Sequence, residues 1–247
     1  MKKIYLFFMM LFASALAYGT NFSVAPTRFV LRIDKVATNE VYVSNNTQKP
    51  LRIETHIESD AEFGSGYNLN SNIAVFPKVI GIKPGGKQVV RFRVKPGKNM
   101  EDGEYKSYIV FKEIPPEIKT MGEKKKSGDS TTNITIVTEL GISIYGSIGE
   151  EILKGRVENF KGNFRGKNLE INFDTISEGN TSFKYKYVVE DERGNILNEG
   201  KAGISPRNGK KHIRLGISEL IKFKGNSVKI KILDQYDNML HEEKVKI

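Results

Sequence analysis

Apolar and polar side chains alternate over a long stretch near the middle of the chain, from Ile134 to Ile148. A period of two is typical of a β-strand, because successive side chains point to opposite faces of the sheet. The stretch exceeds the usual strand length of about 5–6 residues, and a long strand at the end of a domain can reach beyond its own sheet. Its even-numbered face is the more aliphatic one and carries Ile134, Ile136, Leu140, Ile142 and Ile144.

The same alternation recurs along both halves of the chain, and helical periodicity is almost absent. In Gln88–Val94 the apolar residues occupy alternate positions, with arginines between them. The first predicted strand, Phe22–Ile33, changes its apolar parity across Ala25-Pro26-Thr27, so it is predicted to bend or to switch sheets there. Short strands separated by turn sequences predict an all-β protein with two β-sandwiches that meet near Gly146–Lys154.

The first nineteen residues are predicted to be a secretory signal peptide rather than part of the fold. Two lysines precede an apolar run that is too short for a comfortable membrane span, and cleavage after Ala17 or after Gly19 fits the small residues there. No later segment is apolar enough to cross a bilayer. The mature protein is therefore expected to be exported and not embedded in a membrane.

Composition and motifs argue against several other functions. Without the two leader lysines, 37 basic residues face 29 acidic ones, but the lysines alternate with apolar positions or lie in loops, so nucleic acid is not an expected partner. The chain has no cysteine, and His56, His212 and His241 show no ligand-like spacing. No phosphate-binding loop or nucleophile motif is present. We therefore expect neither an enzyme nor a bound metal or other cofactor.

One region carries a more specific pattern. Pro77 precedes a Pro84-Gly85 turn, a basic and apolar strand at Val90–Val94, the pair Asp102/Glu104 and the ending Ile114-Pro115-Pro116. Together with the opening segment Val24–Val30, this resembles the first domain of the PapD-like periplasmic pilus chaperones. The second half resembles that family more loosely. The resemblance implies two immunoglobulin-like sandwiches at an angle, with a first domain at residues 20–148, an interacting strand at 134–148 and a second domain at 149–247.

The family resemblance also implies roles for individual residues. Arg28 matches the arginine that anchors the carboxyl terminus of a pilus subunit in the cleft between the domains. The lysine that accompanies it in the family is missing, because no lysine occurs from Asn133 to Leu153. Either Arg28 acts alone, another cation such as Lys154 or Arg156 reaches the cleft, or the carboxylate is held differently. Two further residues, Glu104 and Asp234, match acids of the family's interdomain network and are expected to be structural.

The implied function is that of a periplasmic chaperone, without ATP, that lends a strand to subunits with an incomplete immunoglobulin-like fold and delivers them for assembly at an outer-membrane usher. One face of the long strand must point into the chain's own sandwich, and the sequence does not say which. We assign the more aliphatic even-numbered face to the partner. Two other interpretations stay open: an ordinary last strand of the sandwich, and a secreted adhesive or structural β-sandwich protein.

Overall fold

The computed structural model describes residues 20–64, 66–115, 136–166, 168–218, 220 and 227–246. The predicted signal peptide and the Met121–Asn133 loop lie outside these residues. Sixteen β-strands are present in the described part: β1 (Phe22–Ala25), β2 (Arg28–Arg32), β3 (Ala37–Asn45), β4 (Leu51–Ser59), β5 (Ile73–Phe76), β6 (Val79–Ile82), β7 (Lys87–Val94), β8 (Gly103–Glu113), β9 (Glu139–Ile148), β10 (Gly155–Arg165), β11 (Asn168–Ser177), β12 (Phe183–Glu190), β13 (Ile196–Ser205), β14 (Lys210–Ile217), β15 (Ser227–Asp234) and β16 (Met239–Lys246). Within these residues no helix is long and apolar enough to cross a membrane.

The first nine strands form a β-sandwich. One sheet has the order β1-β3-β7-β5, and the other has the order β2-β9-β8-β4-β6. Their inner faces share one core, in which the alternate residues Val90, Phe92 and Val94 of β7 are buried as their spacing predicts. The predicted break at Ala25-Pro26-Thr27 is confirmed, since β1 pairs with β3 in the first sheet and β2 pairs with β9 in the second.

The last seven strands form a second sandwich, from the sheets β10-β11-β14 and β13-β12-β15-β16. The all-β, two-sandwich fold class is confirmed. The sequence did not predict β10, and the reason is an irregularity in its pairing with β11 between Glu158 and Lys161. Asn159 has a positive φ of 53° there. This bulge moves the apolar residues from an odd position, Val157, to even positions, Phe160 and Phe164, and the period of two is lost.

Arg207 joins the two sandwiches. Its guanidinium is buried at 3% exposure and donates hydrogen bonds to the main-chain carbonyls of Asp102 and Glu104, both at 3.1 Å. The same group lies over the ring of Tyr67 at 3.8 Å and near that of Tyr105 at 5.1 Å. A buried cation that is both hydrogen-bonded and stacked is expensive to displace. The interface therefore has a defined geometry, which fixes the walls of the cleft between the sandwiches.

Candidate functional site

The aliphatic row of the long strand leaves the protein's own core partway along its length. Ile142 and Ile144 are fully buried in the first sandwich, whereas Leu140 is only partly buried against it. Ile136, which precedes β9, is 84% exposed. Ile134 lies outside the described residues. The assignment of the whole even-numbered face to a partner is therefore wrong for Ile142 and Ile144, because their side chains fill the space between the chain's own two sheets.

The two edges of β9 differ in how they are paired. Along one edge β8 pairs antiparallel with the whole strand, from Glu139 to Ile148. Along the other edge β2 runs parallel to β9 but covers only Ser143–Ser147. Within the described part of the chain, no strand pairs with residues 139–142 along that second edge. This leaves an edge where a further strand can be added in line with β2.

Arg28 lies where this unpaired edge meets β2. It is the first residue of β2 and pairs with Ser143. Its guanidinium carbon lies 4.4 Å from the centroid of the Tyr145 ring, a cation–π contact. Among the described residues, the side chain of Arg28 has no hydrogen bond or ion pair. Its five N–H donors are therefore available to a ligand at the exposed face of the sheet.

A lysine from the neighbouring strand lies on the other side of this group. Lys106 of β8 pairs with Tyr145 in the sheet, and its ammonium lies 5.0 Å from the ring centroid. It forms a close ion pair with Asp60 and donates a hydrogen bond to the Tyr108 hydroxyl at 3.0 Å. The sequence analysis missed Lys106 because it considered lysines of the interacting strand and the segment after it. Only the pairing of β8 with β9 brings Lys106 beside Tyr145.

The Lys106–Asp60 pair is charged and largely screened from water. Burial disfavours the ammonium, but hydrogen bonds to Asp60 and Tyr108 outweigh it and raise the pKa of Lys106. Burial likewise opposes the charge of Asp60, yet hydrogen bonds from Lys106 and Tyr108 lower the pKa of its carboxyl group. Tyr108 completes the network by donating to Asp60 at 2.9 Å. The positive charge of Lys106 is therefore already compensated.

A cavity of about 170 Å³ opens beside this network, between the two sandwiches. Its first wall is formed by residues around Phe63 and Tyr145, and its second by Ile204, Pro206 and Lys211 of the second sandwich. The ammonium of Lys211 pairs with Glu62 across the cleft at 3.1 Å. The two cations suggested by sequence lie elsewhere: Lys154 and Arg156 both pair with Glu178 in the second sandwich.

The two acids expected at the domain interface have different positions. The Glu104 carboxylate accepts hydrogen bonds from the main-chain N–H of Ser182, at 2.8 Å, and from the Ser182 hydroxyl, so it contacts the second sandwich. Asp234 instead caps the turn between β15 and β16, where it accepts from the N–H groups of Tyr236 and Asn238. The interdomain position expected for Asp234 is therefore wrong, because its oxygens are taken by its own hairpin.

Among the residues that the structure describes, one group of side chains could offer ligands to a metal ion. His56, Glu58 and Glu139 bring one ligand atom each within 4.8 Å of one another at the protein surface. These side chains already have partners, since His56 contacts Glu58 at 2.9 Å and Lys112 lies 3.6 Å from Glu139. The group is best described as a cluster of surface ion pairs.

Comparisons with known proteins concern the family of the first sandwich and the overall fold. The family model "Pili and flagellar-assembly chaperone, PapD N-terminal domain" matches residues 21–142. No curated protein matches the chain significantly.

Three similar solved structures illustrate the likeness in fold. The YadV chaperone has a TM-score of 0.50 at 11% identity, with coverage of 92% of this chain and 100% of that one. The E. coli chaperone DraB has a TM-score of 0.46 at 14% identity, covering 92% and 96%. The CsuC–CsuE chaperone–tip adhesion subunit pre-assembly complex from the archaic chaperone-usher Csu pili of Acinetobacter baumannii has a TM-score of 0.45 at 13% identity, covering 91% and 97%.

At these identities the structural likeness concerns the fold alone, whereas the family model covers the first sandwich as far as Ile142. The motifs at Pro77, Pro84-Gly85 and Asp102/Glu104 lie inside the matched region. Residues 21–142, most of the first sandwich, therefore carry the PapD N-terminal domain of the pili and flagellar-assembly chaperones, and this part of the chain is PapD-like.

Proposed function

We propose that this protein is a periplasmic chaperone that binds pilus or fimbrial subunits by adding the segment before and at the start of β9 to their incomplete sandwich. The observation that carries the proposal is the burial gradient from Ile144, inside the protein's own core, to Ile136, which is 84% exposed. A row of side chains that begins in one core and continues into solvent is suited to completing a second core. Leu140 stands at the boundary, and Ile134 continues the row in sequence.

The unpaired edge at residues 139–142 supports strand addition as the binding mode. A subunit that lacks a strand exposes an apolar groove and an unpaired sheet edge, which favours aggregation. A donated strand satisfies the groove's main-chain groups, while alternate side chains enter its pockets. Each isoleucine or leucine transferred into such a pocket contributes about 1.5–3 kcal/mol before association costs are subtracted. Three such residues contribute about 4.5–9 kcal/mol before those costs, so the main-chain hydrogen bonds of the added strand must contribute as well.

The polarity of the added strand follows from charge. A guest strand that runs parallel to β9 along residues 139–142 lies in line with β2, so its carboxyl end meets Arg28. An antiparallel guest strand brings its amino end to Arg28 instead. A carboxylate forms a charge-assisted hydrogen bond with a guanidinium, which contributes about 1.5–3 kcal/mol, and a terminal ammonium is repelled. We therefore propose a parallel guest strand whose C-terminal carboxylate binds Arg28.

Two features of the proposed cycle rest on the sequence and the family. Binding and release are passive, because strand addition needs no bond cleavage and the chain has no phosphate-binding loop that would accept ATP. The predicted signal peptide at residues 1–19 directs the chain to the periplasm. There the chaperone would deliver its subunit to an outer-membrane usher, the remaining partner that the family resemblance implies.

The test is to co-express the mature chain with a candidate subunit encoded in the same operon. We expect a soluble one-to-one complex that forms without ATP, and an insoluble subunit when the chaperone is omitted. Extending the subunit's C-terminus by two glycines should weaken the complex, and Arg28→Ala should remove the difference between native and extended subunits. If the subunit is equally soluble without the chaperone, the proposal is wrong.

Cell fractionation separates this proposal from a secreted adhesive or structural protein. A chaperone remains in the periplasm and is protected when intact cells are treated with a protease. A displayed protein is cleaved under the same treatment and remains with the cell surface. Cleavage of the folded chain on intact cells, with a periplasmic marker left whole, would therefore favour the adhesive function.

A further inference from the structure

The Tyr145 ring has a position that the proposed strand addition does not use. Its side chain points to the outer face of the sheet, away from the pockets of a guest. Three groups surround it: the Arg28 guanidinium at 4.4 Å, the Lys106 ammonium at 5.0 Å and the Phe63 ring, edge-on at 6.3 Å. Lys106 is held in turn by Asp60 and Tyr108. The ring is thus fixed from the β8 side and contacts Arg28 from the β2 side.

Charge compensation differs among three cations, Lys106, Lys211 and Arg28. Lys106 pairs with Asp60, and Lys211 pairs with Glu62. Arg28 has no acidic partner among the described residues, and its guanidinium carbon lies over the Tyr145 ring. Stacking on an aromatic face leaves the donor fork of an arginine free for a carboxylate.

We propose that Tyr145 is a positioning residue for Arg28, and that it takes the place of the second cation in the site for the subunit's terminal carboxylate. This inference rests on the proposed function, because it assumes that a carboxylate binds there. Arg28 is a long, exposed side chain whose rotamers cost entropy to fix on binding. The ring holds the guanidinium beside the unpaired edge before the ligand arrives. Lys106 contributes by supporting the ring, not by binding the carboxylate.

The first measurement needs no ligand. In isotope-labelled mature chain, ring currents shift the side-chain proton resonances of Arg28 upfield when they lie over an aromatic face. We expect this shift in the wild type and in Tyr145→Phe, which keeps the ring, and its loss in Tyr145→Leu. The remaining backbone spectrum reports whether each variant is folded. Unchanged Arg28 resonances in a folded Tyr145→Leu variant would overturn the positioning role.

The second measurement uses the candidate subunit with its native C-terminus and with a two-glycine extension. The ratio of the two affinities reports how much the free terminal carboxylate contributes to binding. A cation–π contact of about 0.5–1 kcal/mol predicts that Tyr145→Leu lowers this ratio about two- to fivefold, while Tyr145→Phe preserves it. A general packing defect would instead weaken both subunits equally and leave the ratio unchanged, which would contradict the inference.

A charge-balanced double variant separates this inference from a lysine-based anchor. Lys106→Met combined with Asp60→Asn removes both members of the buried pair, so no unpaired charge is left behind. We expect the affinity ratio to fall by no more than the effect of Tyr145→Leu. If the two subunits bind the double variant with equal affinity, Lys106 acts as the second cation and the proposal is refuted. If no subunit binds but the Arg28 resonances respond to Tyr145→Leu, strand donation fails and the positioning stands.

Discussion

The sharpest prediction concerns two isoleucines six residues apart on the same face of one segment. Ile142 is fully buried and Ile136 is 84% exposed, so the same change to alanine should have opposite consequences. Ile142→Ala should lower the free energy of unfolding of the first domain by about 2–5 kcal/mol, because it opens a cavity in a close-packed core. Ile136→Ala should change stability by no more than about 0.5 kcal/mol, as other surface substitutions do.

Subunit binding should show the reverse order. Isoleucine exceeds alanine by three carbon groups, which at about 0.8 kcal/mol each give about 2.4 kcal/mol if Ile136 enters a pocket of the subunit. This corresponds to an affinity about 50-fold lower for Ile136→Ala. Ile142→Ala should bind as the wild type does once the folded fraction is taken into account, since its side chain stays in the chaperone's own core.

Two assays check this pair. Urea unfolding followed by circular dichroism gives the stability change. Because a free subunit aggregates, affinity is best measured by competition, in which a labelled subunit partitions between tagged wild-type chaperone and an untagged variant. Equal partitioning with Ile136→Ala would show that this segment is not donated. A 50-fold loss for Ile142→Ala at unchanged stability would restore the assignment of the whole even-numbered face to the partner.

Three further predictions concern the domain interface and the buried ion pair. Glu104→Ala should lower the free energy of unfolding, measured with urea, by about 1–3 kcal/mol, because it leaves buried donors of the second sandwich without an acceptor. Glu104→Gln keeps one oxygen and should lower the free energy of unfolding by less. Gly103→Ala should lower the melting temperature, measured by scanning calorimetry, because φ is +121° and an added Cβ overlaps the main-chain carbonyl of Asn180. Gly81→Ala, whose added Cβ meets open space, is its control. The pKa of Asp60 is lowered from 3.8, so the stability from its pair with Lys106 is fully present above pH 3.8 and is lost as the pH falls through the folded-state value. Melting temperatures between pH 5 and pH 2 should therefore fall more steeply for the wild type than for Asp60→Asn.

The fold could be predicted from alternation wherever strands are regular. The residues of β7 show this, with Phe92 buried and Arg91 exposed at neighbouring positions. Prediction failed at β10, where a bulge shifts the apolar parity between Val157 and Phe160. The residues on either side of Pro77 form β5 and β6, which belong to different sheets. Such breaks depend on which sheet each half joins, and a local pattern does not contain that information.

The candidate site could be predicted only where a motif names the residue. Arg28 was identified from its place in the opening strand, but its ring partner Tyr145 was not. Tyr145 and Lys106 are 39 positions apart and become neighbours through the register of β8 with β9. Arg207, the arginine of the domain interface, lies in the turn between β13 and β14 and was assigned no role from the sequence. A pattern that identifies strands does not give their register, so these pairings required the structure.

The choice of face along the long strand illustrates the same limit in physical terms. Sequence analysis treated the even-numbered row as a unit that serves either the chain's own core or a partner, because side chains on one face of a straight strand share one environment. The row instead spans two environments, since the core of the first sandwich ends near Leu140 while the aliphatic pattern continues upstream. Under the proposed function, the same face completes two cores in succession, first that of the chaperone and then that of the subunit. The edge of β9 is paired by β2 from Ser143 onward and is unpaired before it, so the proposed transfer begins at this point, where Arg28 lies.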